Sequence, residues 1–146
     1  MEEWRVIPSA PKYQISNTGY VKGPRGKLLS IHKSSNGGYF LVCTNSNPKT
    51  RYIHRLIAEA FIPNDNPFEK TVVNHKNGNK QDNSIENLEW CTFQFNLEEY
   101  WTKNPGKNST KNYSNYQKLK LKLLTYSNDE KEKISLELLN VLNKLY

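Results

Sequence analysis

His75, Asn87 and Asn96 are the residues whose types and spacing could do chemistry together. An imidazole, with an ordinary pKa of about 6.5, can take a proton from water near neutrality. Side-chain oxygens of the Asn or Asp kind suit a hard divalent cation, with waters filling the remaining positions. A base and such a cation are what hydrolysis of a phosphodiester needs. One activates water, while the other neutralises the scissile phosphate and the departing 3′ oxygen. The phosphate brings ligands of its own, so two protein oxygens suffice.

The elements that must position these groups are legible. Thr71 to His75 reads as a strand, Lys76 to Asn83 as a polar turn region containing Asn77 and Gly78, and Leu88 to Thr92 as a second strand. Thr92 is a fair N-cap for a helix over Phe93 to Trp101, which stops before Asn104, Pro105 and Gly106. His75 thus ends one strand, Asn87 closes the loop, and Asn96 sits one turn into the helix. Upstream, Trp4 to Ile7, Tyr13 to Ile15, Lys27 to His32 and Tyr39 to Thr44 are rich in β-branched and aromatic residues. Asn17 to Gly19, Gly23 to Gly26 and Asn36 to Gly38 separate them as turns. His54 to Ile62, with apolar residues at 57, 60 and 61 and Pro63 behind it, predicts a two-turn helix. Residues 103–115 read as a linker rich in Asn, Ser and Lys. Beyond it, Tyr116, Leu119, Leu123 and Tyr126 share one helical face. A capping box from Ser127 to Glu130 opens a second helix with Ile134, Leu138, Leu142 and Leu145 in line.

A chain of 146 residues favours one domain with room for a tail. Hydrophobic residues make up 36% and the mean hydropathy is −0.83, lean for a globule. The longest apolar run, Tyr39 to Cys43, is far below the ~20 residues of a membrane span, and no basic-then-apolar leader opens the chain. Cys43 and Cys91 stand far apart, which offers neither a disulfide framework nor a zinc knuckle. An intracellular protein with free thiols is the expectation. The net charge of +7 is unevenly spread: residues 1–55 carry nine Lys or Arg and two acids, residues 56–102 three and eight, and residues 103–128 six and none. Two basic segments bracketing an acidic middle suit a polyanion partner, because Lys and Arg on phosphates release counterions. Nineteen Asn, and 17 Lys against 4 Arg, point to an AT-rich coding sequence of the kind phages and viruses have. They also raise the chance of accidental Asn motifs.

Several segments in order resemble the HNH homing endonucleases of phage introns over roughly residues 3–100. Trp4 and Tyr13-Gln14-Ile15-Ser16-Asn17-Thr18-Gly19-Tyr20-Val21 are similar to the β-rich module that precedes the nuclease core. His54-Arg55-Leu56-Ile57-Ala58-Glu59-Ala60-Phe61, Val73 to Lys80, and Asn87-Leu88-Glu89-Trp90-Cys91-Thr92 through Asn96 are similar to the core itself. The resemblance implies roles. His75 is the general base, Asn96 a metal ligand on the helix, and Asn87 the central asparagine that ties the loop and keeps the strands in register. Asn74 falls where intron-encoded members commonly carry a metal-binding Asp. An amide there binds Mg²⁺ more weakly, by one charge.

Other residues weigh differently. His54 reads as a buttress beside the site, with a phosphate contact as the minority option, and His32 as sheet surface. Asn77, Asn79 and Asn83 read as turn chemistry. Trp90 reads as core beneath the site and Trp4 as core of the first module. Glu86, Glu89, Glu98 and Glu99 read as a solvated face, with one of them able to approach the metal indirectly. Arg25, Lys27, Lys33, Arg51, Arg55 and Lys76 are the phosphate candidates, argued from their collective position.

The expectation is therefore an α+β chain. Residues 1–53 form a small antiparallel β module that binds DNA, 54–102 a ββα-metal nuclease core, 103–115 a linker and 116–146 a C-terminal helical hairpin. It would be an HNH endonuclease on double-stranded DNA, using one divalent cation, Mg²⁺ ahead of Mn²⁺. It would act as a monomer or as a homodimer through the C-terminal helices, in the cytoplasm of a bacterial or phage-infected host and away from membranes. The rival is an HNH-fold regulator that grips DNA without cutting.

Overall fold

The computed structural model describes residues 1–35, 37–104 and 118. Met1–Tyr100 form one compact unit. Three antiparallel sheets make up the β structure. β1 (Trp4–Ile7), β2 (Ala10–Ser16) and β3 (Val21–Lys22) form the first, β4 (Ile31–Lys33), β5 (Phe40–Cys43) and β6 (Thr50–Tyr52) the second, and β7 (Val72–His75) with β8 (Leu88–Cys91) the third. Helix α1 (Ile53–Phe61) follows β6 directly, and α2 (Phe93–Lys103) follows β8.

Alternation along the strands decides what is buried. In β2, Tyr13 and Ile15 go inward while Lys12 and Gln14 face out. Helix α1 packs against strands of all three sheets, through Ile53, Leu56, Ile57 and Ala58. One apolar cluster thus runs from Ile7 in β1 to Leu88 in β8 and passes through α1. His54 is buried with the apolar face of α1, whereas Ala60 and Phe61 are only half-buried. Ile57 is fully buried and Ala60 and Phe61 pack against the same cluster, so the face expected at 57, 60 and 61 is the one turned inward, with His54 added to it.

The turn at Gly19 requires glycine for two reasons. Its φ is +92°, and a Cβ there would meet Ile53 Cγ2 at 3.2 Å, at the start of α1.

The strand expected over Lys27 to His32 is displaced. The chain leaves the Gly26 turn exposed, touches β3 only by a bridge from Leu28 to Lys22, and pairs as a strand from Ile31. Trp4 is half-buried and carries Lys22 Nζ over its ring at 3.6 Å, so it is a cation–π platform instead of core. No helix among the described residues is long and apolar enough to cross a membrane. The helical pair expected over 116–146, and any dimer contact through it, lies outside the described residues apart from Lys118, as does the linker beyond Asn104.

Candidate active site

The hairpin of β7 and β8 is in register from Val72 opposite Cys91 to His75 opposite Leu88. Its loop is organised by Asn87, which is 8% exposed. The Asn87 Oδ1 accepts from the Asn77 backbone N–H at 2.9 Å, and its Nδ2 donates to the Asp82 carbonyl at 2.7 Å. Its own carbonyl accepts from the Lys76 N–H at 2.8 Å. One side chain therefore clamps both ends of the loop that follows His75. Asn77 and Asn79 act as turn residues, each accepting from the N–H two residues on.

His75 is 5% exposed, and the loop reaches it through a residue read from sequence as turn chemistry. Asn83 Oδ1 lies 3.0 Å from His75 Nε2. An amide oxygen can only accept, so Nε2 carries the proton in the neutral ring and Nδ1 is the basic nitrogen. The other side of the ring meets Tyr39 and His54, with centroids 6.0 and 5.1 Å away. Burial holds the His75 pKa below its ordinary value, against the opposing pull of the Asn83 hydrogen bond and the nearby Asp82 carboxylate. The ring is thus kept in the form that can accept a proton. No sequence signal marked Asn83, since it is one asparagine among many.

His54, in the first turn of α1, is 7% exposed, and its Nδ1 has no hydrogen-bond partner. Burial, and then the neighbouring His75 and Arg55, push its pKa down to about 3. It is a neutral wall behind the His75 ring, in keeping with its reading as a buttress.

Asn74 precedes His75, and alternation sends it to the opposite face of β7. There its Nδ2 donates to Glu89 Oε1, across the hairpin, at 2.9 Å. Asn96, half-buried in the first turn of α2, approaches the same region. The backbone amides of Asn74 and Asn96 both act on the Cys91 thiol, lowering its pKa against the larger, opposing effect of burial. Thr92 caps this helix as expected, its Oγ1 accepting from the Phe95 N–H at 3.2 Å. The structure thus brings His75 to Asn83 and the loop held by Asn87, and brings Asn74 and Asn96 to Cys91. Among the described residues no three His, Cys, Asp or Glu side chains gather to hold a metal ion. The donors present for a cation are Asn74 Oδ1 and Asn96 Oδ1, neither of which has a partner among the described residues. Neutral oxygen donors of this kind fit a hard divalent ion.

The basic candidates separate into two groups. Arg25 and Lys27, in the loop after β3, and Lys33 on β4 are exposed, as are Arg55 and Lys76. Arg55 donates to the Thr71 carbonyl at 3.1 Å, and Lys76 Nζ to the Glu86 carbonyl at 2.9 Å. Arg51 is 9% exposed and is engaged inside the fold. It donates to Ser9 Oγ at 2.6 Å and to the Ser9 and Asn47 carbonyls, both at 3.3 Å. It is a structural cation tying β6 to the β1–β2 turn, which removes it from the phosphate set. Trp90, half-buried on β8, donates from Nε1 to the Ile62 carbonyl at 3.0 Å and packs against the core as expected.

Two antiparallel strands, a clamped loop ending in an imidazole, and a helix delivering an amide define an HNH-type ββα arrangement. Residues 51–97 match a family model described as HNH endonuclease. An uncharacterised HNH endonuclease of Acanthamoeba polyphaga mimivirus is 44% identical over 103 residues, which is 66% of this chain and 25% of that protein. The DNA endonuclease I-HmuI of Bacillus phage SP01 is 35% identical over 99 residues, 66% of this chain and 56% of that protein. The H-N-H endonuclease F-TflII of Escherichia phage T5 is 33% identical over 96 residues, covering 64% and 50%. A solved structure of I-HmuI, which concerns DNA binding and cleavage, superposes with a TM-score of 0.62 at 33% identity, covering 81% of this chain and 67% of that one. The chain belongs to the HNH endonuclease family. It spans about a quarter of the mimivirus relative and about half of the phage proteins.

Proposed function

We propose that this chain is a metal-dependent endonuclease acting on double-stranded DNA. His75 serves as general base, Asn74 and Asn96 hold a divalent cation, Mg²⁺ by preference, and Asn87 organises the loop. The observation that carries the reading is the His75 imidazole, buried, its pKa held down by that burial, and its Nε2–H donating to Asn83 Oδ1 so that Nδ1 is left as the basic nitrogen.

In this reading His75 Nδ1 takes a proton from water as the water oxygen bonds to phosphorus. The bond from phosphorus to the 3′ oxygen breaks and that oxygen takes a proton from solvent, leaving a 5′-phosphate and a 3′-hydroxyl. A bound cation supplies Lewis-acid stabilisation of the phosphate and the departing oxygen. Asn87 contributes by keeping the 76–83 loop closed, and so keeps Asn83 against the base. Arg25, Lys27, Lys33, Arg55 and Lys76 grip the phosphate backbone. With one His75 per chain, a monomer nicks one strand, and a double-strand break needs two visits or a dimer.

Supercoiled plasmid incubated with Mg²⁺ or Mn²⁺ tests the reading. Conversion to the nicked circle, abolished in His75→Ala and by chelation, is the expected result. Salt-sensitive retention on DNA with no nicking above the His75→Ala background would instead establish the non-cutting regulator, the reading that a neutral Asn74 favours.

A further inference from the structure

We propose that Glu89 supplies the negative charge that Asn74 lacks, making it a third, previously unassigned member of the cation site. The inference rests on the reading that Asn74 and Asn96 hold the ion. The hairpin register sets Asn74 directly opposite Glu89, and directly opposed residues share a face of the sheet. Their side chains join through Asn74 Nδ2 and Glu89 Oε1 at 2.9 Å. Committing the amide nitrogen to Glu89 leaves Asn74 Oδ1 as the atom with no partner among the described residues, and Glu89 Oε2 has none either.

Cys91 lies two residues beyond Glu89 on β8, so alternation puts its side chain on the face that Glu89 shares with Asn74. A divalent ion among neutral, partly buried amides would keep its full charge uncompensated. A carboxylate within hydrogen-bond reach of one ligand cancels part of that charge, directly through Oε2 or by polarising the Asn74 amide.

Calorimetric titration of Mn²⁺ and Mg²⁺ into the full chain, without DNA, tests this independently of cleavage. Glu89→Gln keeps an acceptor for Asn74 and removes only the charge. We expect its affinity to fall about 10- to 100-fold, with the melting temperature of the metal-free protein unchanged. The double variant Glu89→Gln/Asn74→Asp moves the carboxylate back across the hairpin and should return affinity close to the starting value. Asn96→Ala reports on the underlying site and should weaken binding whatever Glu89 does. Unchanged affinity in Glu89→Gln together with weakened binding in Asn96→Ala overturns the role of Glu89 and leaves the site standing. Unchanged affinity in both overturns the site and the inference with it. Should Glu89→Gln melt early, the double variant decides: tight binding there supports the charge argument, and weak binding in a folded double variant overturns it.

Discussion

The imidazoles of His54 and His75 lie 5.1 Å apart, centroid to centroid, tilted by 55°, and only one of them has a hydrogen-bond partner. His75 is tied to Asn83. His54 is a wall that must stay neutral, because two cationic rings at this separation in a dry interior would repel strongly.

That relationship fixes the sign of a pH effect on stability. The folded-state pKa of His54 is lowered to about 3 from an ordinary 6.5. The unfolded chain therefore binds a proton that the folded chain refuses, and stability falls as pH drops below about 6.5 toward 3. This one group contributes a slope approaching about 1.4 kcal/mol per pH unit. Urea unfolding between pH 7 and pH 4 should show a flatter profile for His54→Phe than for the natural sequence. Equal slopes would mean His54 is protonated in the fold.

Asn83→Ala should slow nicking about 10- to 100-fold while leaving substrate affinity nearly unchanged, because the base loses its anchor and DNA loses nothing. Asn83→Asp keeps an acceptor for Nε2–H and should recover much of the rate. The ¹⁵N shifts of His75 give a readout that general destabilisation would not move: Nε2 in the protonated range for the natural sequence, and a mixed tautomer in Asn83→Ala.

Asn87→Ala removes an acceptor from the Asn77 N–H and a donor from the Asp82 carbonyl, both inside a clamped loop. A cost of about 2 kcal/mol is expected from leaving such groups unpaired. Hydrogen exchange should accelerate across residues 76–83 before the rest of the hairpin opens, and nicking should be lost.

Arg51 and the exposed cations should part company under the same assay. Arg51→Ala, which strips three internal hydrogen bonds from a buried guanidinium, should lower stability by about 2 kcal/mol. Among molecules that remain folded, the salt dependence of DNA binding should stay as it was. Lys27→Ala or Lys33→Ala should leave the melting temperature alone and reduce the slope of log affinity against log salt by about one each. A change of slope in folded Arg51→Ala would return that residue to the DNA interface.

The fold was legible wherever short-range chemistry dictates it. β1 spans Trp4–Ile7 as its β-branched run suggested, β7 and β8 flank an Asn-Gly turn, and Thr92 caps α2. β3 and β6 escaped because two- and three-residue strands leave no periodic pattern, and their strand character comes from neighbours distant in sequence. At the site, His75, Asn87 and Asn96 stood out through their order and spacing. Asn83 and Glu89 did not, because their importance lies in which atoms they face across a loop or a hairpin. Arg51 was misplaced for the same reason: a cation on a turn-rich stretch reads as surface until Ser9 is seen to approach it from the β1–β2 turn.

The contrast between the two thiols has a practical use. Cys43 is exposed on β5, whereas Cys91 is buried and its thiol is pushed up to about 11, so it forms almost no thiolate at neutral pH. A maleimide dye should therefore mark the native polypeptide at a single position without any engineered cysteine. Denaturation would uncover a second attachment point, so dye stoichiometry would report on the integrity of the hairpin itself.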